Sequence, residues 1–183
     1  MFEKYLVELC SPTLASLKTA SLFNFSFSSD LELEQQLNCW NYKLNQKGIF
    51  IVVLRKKEHR ALVYVFRKSK LKQDLNKPGV RCFLKSCGYM ETDLDSAIQQ
   101  LQGRFCEMDE FPHEIGLFLG YPLWDVVGFI ENEGKNCKCV GCWKVYCNEC
   151  EAKQIFAKFK KCRDVYWRLY NNGRSILQLT VAA

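Results

Sequence analysis

Histidine and proline are both scarce in this chain, with two and four residues among 183. No stretch is rich in proline, glycine and serine together, and no repeat or low-complexity tract interrupts the sequence. The expectation is one continuous globular domain over residues 1–183. A glycine-rich phosphate loop, a Gly-x-Ser-x-Gly elbow and a His-Glu-x-x-His pair are also missing, so the enzyme classes that those motifs announce are not indicated. Nor is there a long apolar run. The most apolar stretch, residues 115–130, is broken by Pro122 and Asp125 and falls short of the ~18–20 residues that a bilayer-spanning helix needs. The opening MFEKYLVELC is charged and runs into Ser11-Pro12 without the apolar centre of a secretory signal. Together these features predict a cytoplasmic protein without a membrane span.

Apolar side chains make up 48% of the chain and aromatics 14%, enough to build a substantial core. Net charge is +6, and it is concentrated: residues 135–174 hold ten lysines or arginines against three acids, leaving sixteen against seventeen elsewhere. Such a patch can attract a polyanion. No nucleic-acid-binding motif accompanies it, so a solvated helix face is the preferred reading and nucleic acid is not the expected partner.

Hydrophobic spacing orders the elements. Ser11-Pro12 reads as a helix start, with a short helix continuing through Ala20. Phe23, Phe25 and Phe27 alternate with polar residues, the period of a strand with one buried face. Leu33, Leu37, Trp40 and Leu44 fall at helical spacing over residues 30–46, with Asp30 as the cap and Gly48 just beyond. IFIVVLR and ALVYVFR, residues 49–55 and 61–67, predict an antiparallel hairpin. Two short helices flank Pro78. A longer one covers residues 92–105, with Thr92 and Asp95 as an imperfect capping box. WKVY reads as a strand, residues 149–172 as the strongest helix, and RSILQLTV as a last strand. The predicted class is α/β with an α+β tendency. The architecture is a single-domain sandwich on a mixed sheet of about five strands, the hairpin central to it.

Eleven cysteines without a signal peptide fit a reducing compartment. Cys10, Cys39, Cys82, Cys87, Cys106 and Cys162 are scattered and read mainly as packing residues. The other five crowd into GKNCKCVGCWKVYCNEC, residues 134–150. Cys139 with Cys142, and Cys147 with Cys150, form two knuckle-like pairs of the kind that bind zinc. Only four residues separate the pairs, and an extended WKVY would hold Cys142 and Cys147 about 16 Å apart, too far to share one ion. An iron–sulfur cluster using Cys142, Cys147, Cys150 and a distant Cys162 meets a similar objection, because WKVY is bulky. Cys147 and Cys150 straddle a predicted helix start, where the dipole would lower a thiol pKa and favour a redox dithiol. Structural thiols remain the preferred reading, with zinc or an iron–sulfur cluster on Cys139, Cys142, Cys147 and Cys150 as the alternative.

FPHEIGLFLGYPLWDVVGFI, residues 111–130, combines three glycines, two prolines and a His-Glu pair. Gly120-Tyr121-Pro122 reads as a sharp turn. His113 and Glu114 offer a base, a metal ligand or a hydrogen-bonded structural pair. Cys10, placed before the predicted first helix, could act as a nucleophile with His113, and Lys18 on that helix could reach an anionic ligand.

CSPTLASLKTASLF, KGIFIVVL, LVYVFR, FPHEIGLFLGYPLWDVVGFIEN, GCWKVY and KKCRDVYWRLYNNGRSILQL together resemble an uncharacterised domain-of-unknown-function family of Clostridia-type anaerobic bacteria. The resemblance covers nearly the whole chain, with the FPHEIGLFLGYPLWDVVGF segment as its hallmark. It implies a bacterial cytoplasmic protein and brings no reaction with it. The resulting expectation is an accessory protein that binds a small ligand, cofactor or protein partner in a cleft. His113, Glu114, Gly120 and Tyr121 would border that cleft, joined by Cys10 and Lys18.

Overall fold

The computed structural model describes residues 2–90, 93–107 and 111–182. Its centre is a three-stranded antiparallel sheet in the order β1-β3-β2, formed by β1 (Ala20–Ser26), β2 (Ile49–Lys57) and β3 (Arg60–Arg67). The hairpin falls where the two β-branched runs predicted it. Phe23 stands opposite Val63 in the β1–β3 register, and a bulge near Leu54 shifts the β2–β3 register between Val53 and Arg55. β3 is buried along almost its whole length, as a strand must be when both sheet faces are covered.

Side-chain alternation sorts the core into two layers. Phe23, Phe25, Ile49, Ile51, Val63 and Val65 face one layer. There they meet α1 (Phe2–Leu14), α2 (Asp30–Leu44) and part of α8 (Glu149–Asn171). Leu54, Leu62, Tyr64 and Phe66 face the other, covered by α3 (Lys68–Leu75), α4 (Pro78–Ser86), α5 (Leu94–Glu107), α6 (Ile115–Phe118) and α7 (Leu123–Glu131). Tyr64 crosses this second layer to donate its hydroxyl hydrogen to the Phe118 carbonyl at 2.6 Å, which fixes α6 against the sheet. The α/β class therefore holds, with two corrections to the sheet. Among the described residues every strand pairing is antiparallel, and the remaining two strands, β4 (Cys139–Val140) and β5 (Lys144–Val145), form a separate two-stranded sheet.

Three boundaries also differ from the sequence reading. α1 begins at Phe2 and carries Pro12 in its last turn instead of starting there. Phe2, Leu6, Cys10 and Leu14 recur every fourth residue and are all fully buried, so the packing of that face outweighs the proline's lost hydrogen bond. Lys18 consequently lies in the loop between α1 and β1. Ser29, not Asp30, caps α2, accepting from the Glu32 amide at 3.2 Å. RSILQLTV forms a short helix, α9 (Ile176–Leu179), started by a capping box in which Ser175 and Gln178 satisfy each other's amides. Thr92 lies outside the described residues; Asp93 accepts from the Ser96 amide at 3.1 Å in the first turn of α5.

Arg67 ends β3 and is almost completely buried. Its guanidinium donates to the Thr13 and Leu14 carbonyls at 2.6 and 2.7 Å and to the Val181 carbonyl at 2.7 Å, tying the end of α1 and the segment after α9 to the sheet. Two of these carbonyls also accept a backbone amide, Thr13 from Ser16 at 3.2 Å and Leu14 from Val181 at 3.0 Å, so the guanidinium adds a second donor to each. Among the described residues no helix is long and apolar enough to cross a membrane.

Candidate functional site

Residues 111–131 build one side of the site. Pro112, His113 and Glu114 form a turn into α6, and Gly120 then reverses the chain at a φ of +77°. A Cβ at Gly120 would stand 2.6 Å from Thr19 Oγ1, so the turn needs glycine both for its backbone and for its closeness to the loop after α1. Thr19 is itself held there, donating to Asp74 Oδ2 at 2.6 Å.

Asp125 on α7 organises the opposite side, and nothing in the spacing had singled it out. The residue is buried, and its carboxylate accepts three hydrogens: Trp143 Nε1–H at 2.8 Å on one oxygen, the Tyr146 and Cys147 amides at 2.8 and 2.9 Å on the other. A buried carboxylate is tolerated when its lone pairs are filled in this way. The β4–β5 hairpin is thereby clamped to α7, and its turn reaches α8: a Cβ at Gly141 would come 2.2 Å from the Phe156 ring. Trp143 stacks on Tyr121 with centroids 4.8 Å apart and meets Phe156 edge-on at 4.6 Å, while the Tyr121 hydroxyl donates to the Cys142 carbonyl at 3.2 Å. Burial, with Cys142 nearby, pushes the Tyr121 hydroxyl well above its ordinary pKa, so it stays a neutral donor.

The Tyr121–Trp143 pair is a wall that lines two spaces. One is a cavity of about 360 Å³ lined by Leu22, Phe111, His113, Val126, Phe129, Lys144 and the wall itself. The exposed His113 ring contacts Phe129 edge-on at 4.9 Å. Lys144 donates to the Gly134 carbonyl at 2.7 Å. The other is a cleft of about 300 Å³ between Lys18, Gly120, the wall and Lys158 of α8.

A family model described as Protein of unknown function (DUF3793) matches residues 6–180. The chain belongs to that family. No curated protein and no solved structure matches it.

The predicted residues separate into two groups. His113, Gly120, Tyr121 and Lys18 border the paired spaces. Glu114 turns inward instead, forming an ion pair with Arg104 of α5 and accepting from the Tyr89 hydroxyl at 3.3 Å. Arg104 also donates to the Cys87 carbonyl at 2.9 Å. The Glu114 carboxylate is thus committed to holding α5 against the start of α6. Cys10 is fully buried in the layer on the other sheet face, among Leu6, Leu14 and Phe25, and burial pushes its thiol up to about 12. That setting opposes thiolate formation and keeps Cys10 out of the layer that holds the cavity.

The cysteine cluster is spread along the β4–β5 hairpin and into α8. Cys139 pairs across the hairpin with Val145, Cys142 occupies the turn, and Cys147 and Cys150 flank the start of α8. Among the described residues no group of three or more His, Cys, Asp or Glu side chains stands where it could hold one metal ion. The expected lowering of a thiol pKa at the start of α8 is reversed at Cys147, where desolvation and then the Asp125 carboxylate raise it. Of the six scattered cysteines, Cys10 and Cys162 are packing residues and Cys87 is partly covered, whereas Cys39, Cys82 and Cys106 are exposed.

Proposed function

We propose that the protein is a non-catalytic binding protein of the cytoplasm, taking a small, flat, mainly apolar ligand into the cavity between Phe129 and the Tyr121–Trp143 wall. The cavity itself is the observation that supports this reading. Its 360 Å³ is in the range of small-molecule sites, and its surface is aromatic and aliphatic with few polar groups. Those polar groups are chiefly occupied: Asp125 already accepts three hydrogens, and Lys144 is held by Gly134. His113 has no hydrogen-bond partner among the described residues, so it offers one rim contact without the oriented neighbour that acid–base chemistry requires.

Calorimetric titration with 2-naphthol as probe tests the reading, using Val140→Trp to obstruct the cavity from an exposed position on its lining. Saturable binding that weakens roughly tenfold or more in the variant is expected, because the added ring occupies space the probe needs. Absence of binding, or equal binding by both proteins, would overturn it.

A further inference from the structure

The cleft that Lys18 and Lys158 share with the wall differs in chemistry from the cavity. Lys18 lines it from the loop after α1, half-buried, with its ammonium 5.3 Å from the centroid of the Tyr121 ring. No carboxylate pairs with Lys18 and no hydrogen bond engages its ammonium among the described residues. Lys158 lines the same cleft from α8, and the charge of Arg163 reaches Lys18 as well. Two carboxylates, Asp74 and Glu151, line an adjoining hollow that shares Gly120, Tyr121 and Pro122 with the cleft, and Asp74 is already engaged by Thr19 and by Lys77 at 2.7 Å. The cleft itself is lined by two lysines and an aromatic wall with no carboxylate among its lining residues, an arrangement whose electrostatic cost an incoming anion would relieve. Desolvation lowers the Lys18 pKa, with Cys142 and Cys10 acting in the opposite direction, in agreement with an ammonium that has lost water without gaining a carboxylate.

We infer that this cleft binds a small organic anion, its carboxylate or phosphate group on Lys18 and Lys158 and its flat body against Tyr121 and Trp143. Cation and ring together favour such a ligand over an inorganic ion, because the wall contributes apolar contact that a bare anion cannot use.

Indole-3-acetate and its neutral amide, indole-3-acetamide, are the probes, titrated into wild type, Lys18→Met and Lys158→Met. The acid should bind at least tenfold more tightly than the amide, and Lys18→Met should remove that preference while its thermal midpoint shows it folded. Lys158→Met, at an exposed position, should reduce the preference less and keeps the test alive if Lys18→Met fails to fold. Equal binding of acid and amide by wild type, or an unchanged preference in the variants, overturns the inference. Inorganic phosphate displacing indole-3-acetate supports the site and assigns the anionic group to the phosphate class; displacement only by carboxylates supports it and assigns the other. Val140→Trp must leave indole-3-acetate binding intact, and its loss there would place the probe in the first cavity and sink the inference. Because 2-naphthol binding should survive Lys18→Met, failure of either site is read separately.

Discussion

Neighbouring residues His113 and Glu114 look equivalent as a dipeptide and are not equivalent in the fold. The imidazole is exposed at the cavity rim, whereas the carboxylate is buried with Arg104 and Tyr89. Replacing His113 by alanine should change stability by less than about 0.5 kcal/mol, the usual range for an exposed side chain. Glu114→Ala leaves the largely buried Arg104 guanidinium without its carboxylate and should cost about 3 kcal/mol or more in urea denaturation. Equal effects of the two substitutions would contradict the placement of Glu114. Sequence spacing could flag the pair as chemically loaded, but it could not show which member faced outward, because the direction of Glu114 depends on α5 lying across it.

Among elements, legibility followed how local the determining contacts are. α8 and the β2–β3 hairpin were readable because their periodic patterns are long and uninterrupted. α1 was misread through Pro12, although the four-residue recurrence of Phe2, Leu6, Cys10 and Leu14 was there to see. α9 was misread as a strand, although Ser175 and Gln178 carry the capping-box spacing. The hairpin β4–β5 is different. Two residue pairs of ladder do not hold it, and its position comes from Asp125 on α7, some twenty residues away in the chain. Asp125→Asn places an amide donor against one of the three N–H groups, and we expect a loss of about 1–3 kcal/mol with weakened 2-naphthol binding. A variant as stable as wild type and binding the probe equally well would show that the aromatic stack alone holds the hairpin.

At the scale of the molecule, two helical layers cover the two faces of the three-stranded sheet, and buried thiols and hydroxyls lie between them. Cys10 is the clearest case: its folded pKa rises from an ordinary 9.0 to about 12. The folded state therefore holds this proton more tightly than the unfolded chain does. The resulting stabilisation is fully present below pH 9 and is lost as pH rises through about 12. Denaturation midpoints measured from pH 8 upward should fall across that window, and Cys10→Val should flatten the fall. An identical slope in the variant would exclude Cys10 as a contributor. The basic C-terminal quarter belongs at this scale too. Lys153 and Lys160 on α8 pair with Glu149 and Asp164 one turn away, which moderates the field that the lysine count suggested.

The Asp125 clamp carries a dynamic implication. Because the Asp125 carboxylate holds the β4–β5 hairpin through two of its backbone amides, we expect that hairpin to open before the sheet and its flanking helices do. Deuterium uptake at the Tyr146 and Cys147 amides would then run ahead of global unfolding and slow when either chamber fills, making those two positions a built-in gauge of occupancy.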